Sequence, residues 1–114
     1  MPAFKTRKRI ELQPYDQSVP YSFGFSVCSS ATANDGDLPY GHNIQTCLVK
    51  CFDKAGADKT TDVVGVTSVN ANIVTVPLTY YATHGRYSLE FQVETDLAVR
   101  IEFPYTRVYM IDRS

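Results

Sequence analysis

The chain has 114 residues, a formal net charge of -1 and 44% hydrophobic residues. That is long enough to bury one core without metals or disulfides, and too apolar for wholesale disorder. Near-neutral charge leaves no global field for nucleic acid or an anionic membrane, so neither is an expected partner.

No apolar run reaches the roughly 18 residues of a membrane span. The opening "MPAFKTRKRIELQ" has basic residues but no apolar run behind them, so no secretory signal is expected. Its "KTRKR" run puts Lys5, Arg7, Lys8 and Arg9 in five residues. Such a run forms a solvated arm over 1–9, or one that reaches an acidic partner or a phosphate backbone.

Hydrophobic alternation then marks strands, and no window has helical period. "RIELQ" places Ile10 and Leu12 on one face, and "YSFGFSVC" turns Tyr21, Phe23, Phe25 and Val27 inward. Between this strand and the next lies Ser29 to Asn43, a loop of small and turn-forming residues, long for a compact domain. It is either mobile or a binding loop ordered by a neighbour, with Leu38, Pro39 and Tyr40 as its adhesive part.

"NIQTCLVKCFD" carries apolar residues at both parities, as in a central strand or one with a face against a partner. Cys47 and Cys51 on one strand lie about 13 Å apart, too far for a disulfide. Cys28 can meet either of them across a sheet, but reduced, core-filling thiols are expected, in keeping with synthesis in a reducing cytoplasm.

"DKAGADKTTD" reads as a turn and polar connection, and "DVVGVTSV" as a strand weakened by Gly65. "NAN" at 70–72 is a turn. In "IVTVPL", Val74, Val76 and Leu78 share a face, and Pro77 argues for a sheet edge.

The hairpin "GRYSLEFQVETDLAVRIEFPY" alternates Tyr87, Leu89, Phe91 and Val93 against polar residues, then Val99, Ile101 and Phe103. Val108 and Met110 fall out of phase with these, which predicts a bulge near Pro104 to Arg107. The expected core is Tyr21, Phe23, Phe25, Val27, Leu48, Val74, Val76, Leu89, Phe91, Val93, Val99, Ile101 and Phe103. About seven or eight strands in two antiparallel sheets, packed face to face as one domain over 1–114, would bury these faces.

Chemical templates find little purchase. His42 and His84 have no companion at metal-ligand spacing, and a CxxxC strand splays its thiols, so no metal is expected. "GADKTTD" lacks the glycines and the helix of a phosphate loop. No catalytic residues and no cofactor are assigned, and an enzyme is not expected. Tyrosine is frequent at eight residues, and Tyr80, Tyr81 and Tyr109 fall off the inward phase, where they suit a protein interface.

The order of segments resembles the small immunoglobulin-like virion proteins of tailed bacteriophages, of the fibre–tail adaptor type. It is similar, more distantly, to the N-terminal domains of baseplate upper proteins. The resemblance spans about Lys8 to Asp112. It is carried by Ile44, Thr46, Val49, Phe52, Asp53, Gly56, Asp58 and Thr60, then by Thr83, Gly85, Tyr87, Leu89 and Phe91. The chain departs from the pattern in its longer Ser29 to Asn43 loop and in "DLA" at 96–98, where a "DG" turn is usual.

The resemblance implies an immunoglobulin-like β-sandwich in the neck, tail or baseplate of a virion. It would form a homo-oligomeric ring and join neck, tail or fibre components. Its contacts would come from an exposed strand edge, from the arm, from the Ser29 to Asn43 loop with Leu38, Pro39 and Tyr40, and from Tyr80, Tyr81, His84 and Tyr109. The alternatives are a capsid decoration protein, or a carbohydrate or small-ligand module that stacks its ligand on Tyr40, Tyr80, Tyr81 and His84.

Overall fold

The computed structural model describes residues 10–111, apart from the side chains of 104–106. Among the described residues seven strands form two sheets, as the alternating faces require. The strands are β1 (Ile10–Leu12), β2 (Val19–Gly24), β3 (Ile44–Asp53), β4 (Ser68–Asn70), β5 (Ile73–Leu78), β6 (Gly85–Thr95) and β7 (Arg100–Met110). One sheet has the order β1-β7-β6-β3 and the other β2-β5-β4. The chain is all-β, with one short helix, α1 (Thr60–Val63). Among the described residues no helix is long and apolar enough to cross a membrane.

One pairing departs from the antiparallel expectation. β1 runs parallel to β7, with Ile10 opposite Val108 and Leu12 opposite Met110. All four of these side chains are buried.

Phenylalanines fill the space between the sheets. Phe23 meets Phe91 edge-on at 4.8 Å between ring centroids, and Phe25 lies 5.8 Å from Phe91 and 5.1 Å from Phe103. These are the tilted and edge-to-face contacts that aromatic quadrupoles favour. Val74, Val76, Leu78, Leu89 and Val93 close the layer around them.

Two expected core residues lie outside it. Leu48 is 53% exposed, because β3 turns its odd members Val49 and Cys51 inward. Val99 is 38% exposed, because it belongs to the β6–β7 tip, where Thr95 N–H bonds to its carbonyl. Tyr21, Val27 and Ile101 are half-buried against the core.

The bulge falls where the phase change demands. Leu89 pairs with Thr106 and Phe91 with Phe103, so β7 spends one residue more than β6 there. That extra residue lets Phe103, Val108 and Met110 all reach the core.

Three segments are placed differently from the alternation's suggestion. β3 is an edge strand rather than a central one. The expected strand over "DVVGVTSV" is divided between α1 and β4. Asp58 Oδ1 accepts the Thr60 N–H, and the amides of Val63 and Val64 then close a helical turn that buries Val63.

β5 is central rather than at an edge, yet Pro77 costs no hydrogen bond. Its carbonyl accepts from Gly65 N–H at 2.8 Å, so its missing donor also points past the end of β4. A Cβ on Gly65 would come within 3.1 Å of the Pro77 ring, which explains the glycine.

Phe91→Ala should cost about 3–5 kcal/mol in urea unfolding, because it empties the centre of the aromatic layer. A cost below about 1 kcal/mol would contradict this packing.

Candidate functional site

The strand directions sort the connections between two ends. Ser29 to Asn43, the β4–β5 turn and the β6–β7 tip gather at one end. The β3–α1 connection and residues 79–84 gather at the other.

At the first end Asn72 links three segments, and its φ of 63° suits a residue that tolerates the left-handed region. Its side chain accepts from Ile44 N–H at 2.8 Å and donates to Asn43 Oδ1, while its carbonyl accepts from Phe25 N–H. The β6–β7 tip is fastened beside it, with Asn43 N–H on Asp96 and His42 Nδ1 hydrogen-bonded to Thr95 Oγ1 at 2.9 Å.

The long loop is ordered by its own residues. Asp37 Oδ2 accepts from Ser26 N–H at 2.9 Å, and Asp35 accepts from both the amide and the hydroxyl of Ser29. The Ser29 hydroxyl, and then its amide, hold the Asp35 carboxyl below its usual range. Leu38 is fully buried and so is an anchor of the core, not an adhesive surface. Pro39 is half-buried, and Tyr40 is 57% exposed. Tyr40 lines an open pocket of about 400 Å³ that reaches Val99 and Ile101.

At the opposite end Tyr80 Oη is hydrogen-bonded to His84 Nε2 at 2.6 Å. Lys59 Nζ sits 5.3 Å from the Tyr81 ring centroid, and Tyr81 meets Tyr87 edge-on. Tyr40 is not part of this group. His84 precedes the first residue of β6 and Tyr40 lies at the end where β6 finishes, a strand length of roughly 33 Å away. The four-residue stacking platform suggested by the aromatic residues therefore does not assemble. Tyr109 is half-buried on the outer face of β7, opposite Arg86 and Glu11. Lys5, Arg7, Lys8 and Arg9 lie outside the described residues.

The surface that the residue types did not single out is the free edge of β3. Cys51 turns both its backbone groups away from β6: its carbonyl accepts from Lys59 N–H at 2.7 Å, and its N–H donates to Thr60 Oγ1. Asp53 N–H likewise reaches the Ala57 carbonyl. Backbone direction alternates along an antiparallel strand, so Cys47 and Val49 present their N–H and C=O groups to the same edge. Among the described residues nothing pairs with them. The open stretch runs from Thr46 to Lys50, with the exposed Leu48 at its middle. Gln45 is the bulge residue above it, and the α1 approach closes it below.

Cys28, Cys47 and Cys51 are all unpaired thiols. Burial pushes Cys47 up to about 12, and burial, reinforced by Asp58 and Asp53, pushes Cys51 up to about 12. Among the described residues no group of three or more His, Cys, Asp or Glu side chains converges as a metal site. No family model matches the chain, and neither does any curated protein or solved structure compared with it.

Two outcomes follow. In Gly36→Ala the new Cβ would stand 2.5 Å from Cys28 N and from the Val27 carbonyl carbon, both backbone atoms. The loop must shift, and thermal or urea melts should show a loss of about 1–3 kcal/mol. The thiols set a pH dependence. Folding raises the pKa of Cys47 and Cys51 from 9.0 to about 12, so at these two residues the unfolded chain releases protons first. Their contribution to stability is complete below pH 9.0 and is lost as pH rises towards about 12. Urea titrations under reducing conditions should show this decline, and Cys47→Ala should make it shallower.

Proposed function

We propose that the chain is an immunoglobulin-like β-sandwich that acts without catalysis as a structural adaptor in a tailed-phage virion. It joins neighbouring virion proteins in the neck, tail or baseplate. Two features support the immunoglobulin-like reading. The grouping of β2, β5 and β4 against β3, β6 and β7 matches the division of strands B, E and D from C, F and G in that fold. Tyr87, at the start of β6, is 2% exposed and donates its hydroxyl to the Thr83 carbonyl at 2.6 Å, the geometry of a tyrosine corner. Leu89 stands two residues on, where antibody domains carry the second cysteine, and the phenylalanine layer takes the place of a disulfide and tryptophan.

The adaptor reading is carried by the open edge of β3. A strand edge joins proteins through main-chain hydrogen bonds, with side chains beside it supplying selectivity. Such edges are usually blunted by proline, charge or covering chain. This one is covered at Cys51 and Asp53, and Lys50 guards one side, but five residues remain open around an exposed leucine. The edge needs no catalytic group in order to act, and the resemblance to virion adaptors supplies the setting.

Quantitative mass spectrometry of purified phage particles from cells expressing the gene tests this reading. The expected result is a fixed copy number per particle, retained after stringent washing. Absence of the chain from the particles would overturn it.

A further inference from the structure

We propose that the open stretch of β3 pairs antiparallel with the same stretch of a second copy, about a two-fold axis beside Leu48. This rests on the assembly reading above and names the partner that the edge takes. The backbone is self-complementary in that register. Cys47 lies opposite Val49 of the second copy, and each such pair exchanges both of its hydrogen bonds, about four in all. Leu48 then faces Leu48 of the second copy across a non-hydrogen-bonded position, where side chains approach most closely. The solvent-exposed leucine thereby gains an apolar partner on both sides of the axis.

Charge is compatible with the same register, with Lys50 already opposite Glu90 and Glu94 beside Arg100 in their own sheet. Lys50 falls opposite Thr46 of the second copy, and Thr46 pairs with Glu94 within its own sheet. The lysine and that glutamate of the second copy are thus two strands apart on one face, roughly 10 Å between Cβ atoms. Their stems together span this distance. No like charges stand directly opposite each other.

The ends of the stretch limit the ladder to these residues. Below it, the Ala57–Thr60 segment already occupies the edge at Cys51 and Asp53. Above it, the bulge at Gln45 and the ties of Asn43 and Ile44 to Asn72 draw the chain towards the other sheet. In an antiparallel pair each strand therefore leaves the edge near the level where the other copy's covering segment begins. The two four-stranded sheets become one continuous sheet across the axis.

The test uses the full chain under reducing conditions. Sedimentation of the wild type should show a concentration-dependent monomer–dimer equilibrium. Leu48→Lys places like charges face to face on an exposed position and should raise the dissociation constant by about tenfold, with an unchanged thermal melt at concentrations where both chains are monomeric. Under mild oxidation Leu48→Cys should cross-link to its own counterpart. Thr46→Cys should not, because its counterpart lies about 13 Å further along the strands. A wild type that stays monomeric at roughly 100 µM overturns the proposal. So does a Leu48→Lys dimer as tight as the wild type, or a Leu48→Cys chain that stays uncrosslinked. A monomer still found at fixed copy number in particles overturns only the choice of a second copy. A chain absent from particles overturns the adaptor reading itself.

Discussion

The contact on which the rest of the molecule depends is the meeting of Phe91 with Phe23 and Phe25 across the gap between the sheets. Each sheet alone has one apolar face and no reason to persist in water. The aromatic layer gives each face its counterpart, and it does so at the middle of β6, the strand flanked by β3 and β7. From that point outward the strands lead into the loops at either end. The ordered ends of the sandwich are therefore consequences of its centre.

With the centre fixed, the two ends are built by different means. Around Asn72 the ordering is polar, with side-chain amides, Asp37 and Asp96 satisfying backbone groups that the turns leave unpaired. Around Tyr81 it is aromatic, with a lysine over one ring and a second ring at its edge. A polar tie is directional and fixes a loop in one shape, whereas edge-to-face rings tolerate small shifts. The long loop is thus tied down by hydrogen bonds of its own.

Much of this was legible in the sequence, because a period of two is unambiguous when one face is apolar and the other charged. Tyr87 to Val93 needed nothing else, and Phe103 and Val108 even disclosed the bulge by being out of phase. β3 misled because Cys47, Leu48, Val49 and Cys51 are all apolar, so composition could not say which parity faced inward. The turn of helix at Thr60–Val63 was hidden because Val63, Val64 and Val66 have strand propensity. Tertiary burial of Val63, together with the Asp58 tie to Thr60, outweighed that preference. The site was less legible than the fold. Tyr40 and Tyr81 looked like one aromatic set, but nothing in a linear sequence reports that a strand's length separates them. An open strand edge is a property of sheet order, which single-strand periodicity does not encode.

The parallel pairing of β1 with β7 has a mechanical consequence. Because the two strands are parallel, the N-terminal end of β1 and the C-terminal end of β7 face opposite ways along the strand direction. Tension applied between them does not peel the strands apart one hydrogen bond at a time. It loads the Ile10–Val108, Glu11–Tyr109 and Leu12–Met110 pairs, and the Ile111 N–H to Leu12 carbonyl bond, simultaneously and in shear. Forced unfolding is governed by the barrier along the pulling direction rather than by equilibrium stability. A short patch loaded in this way makes the sandwich stiffer in line than its modest size suggests.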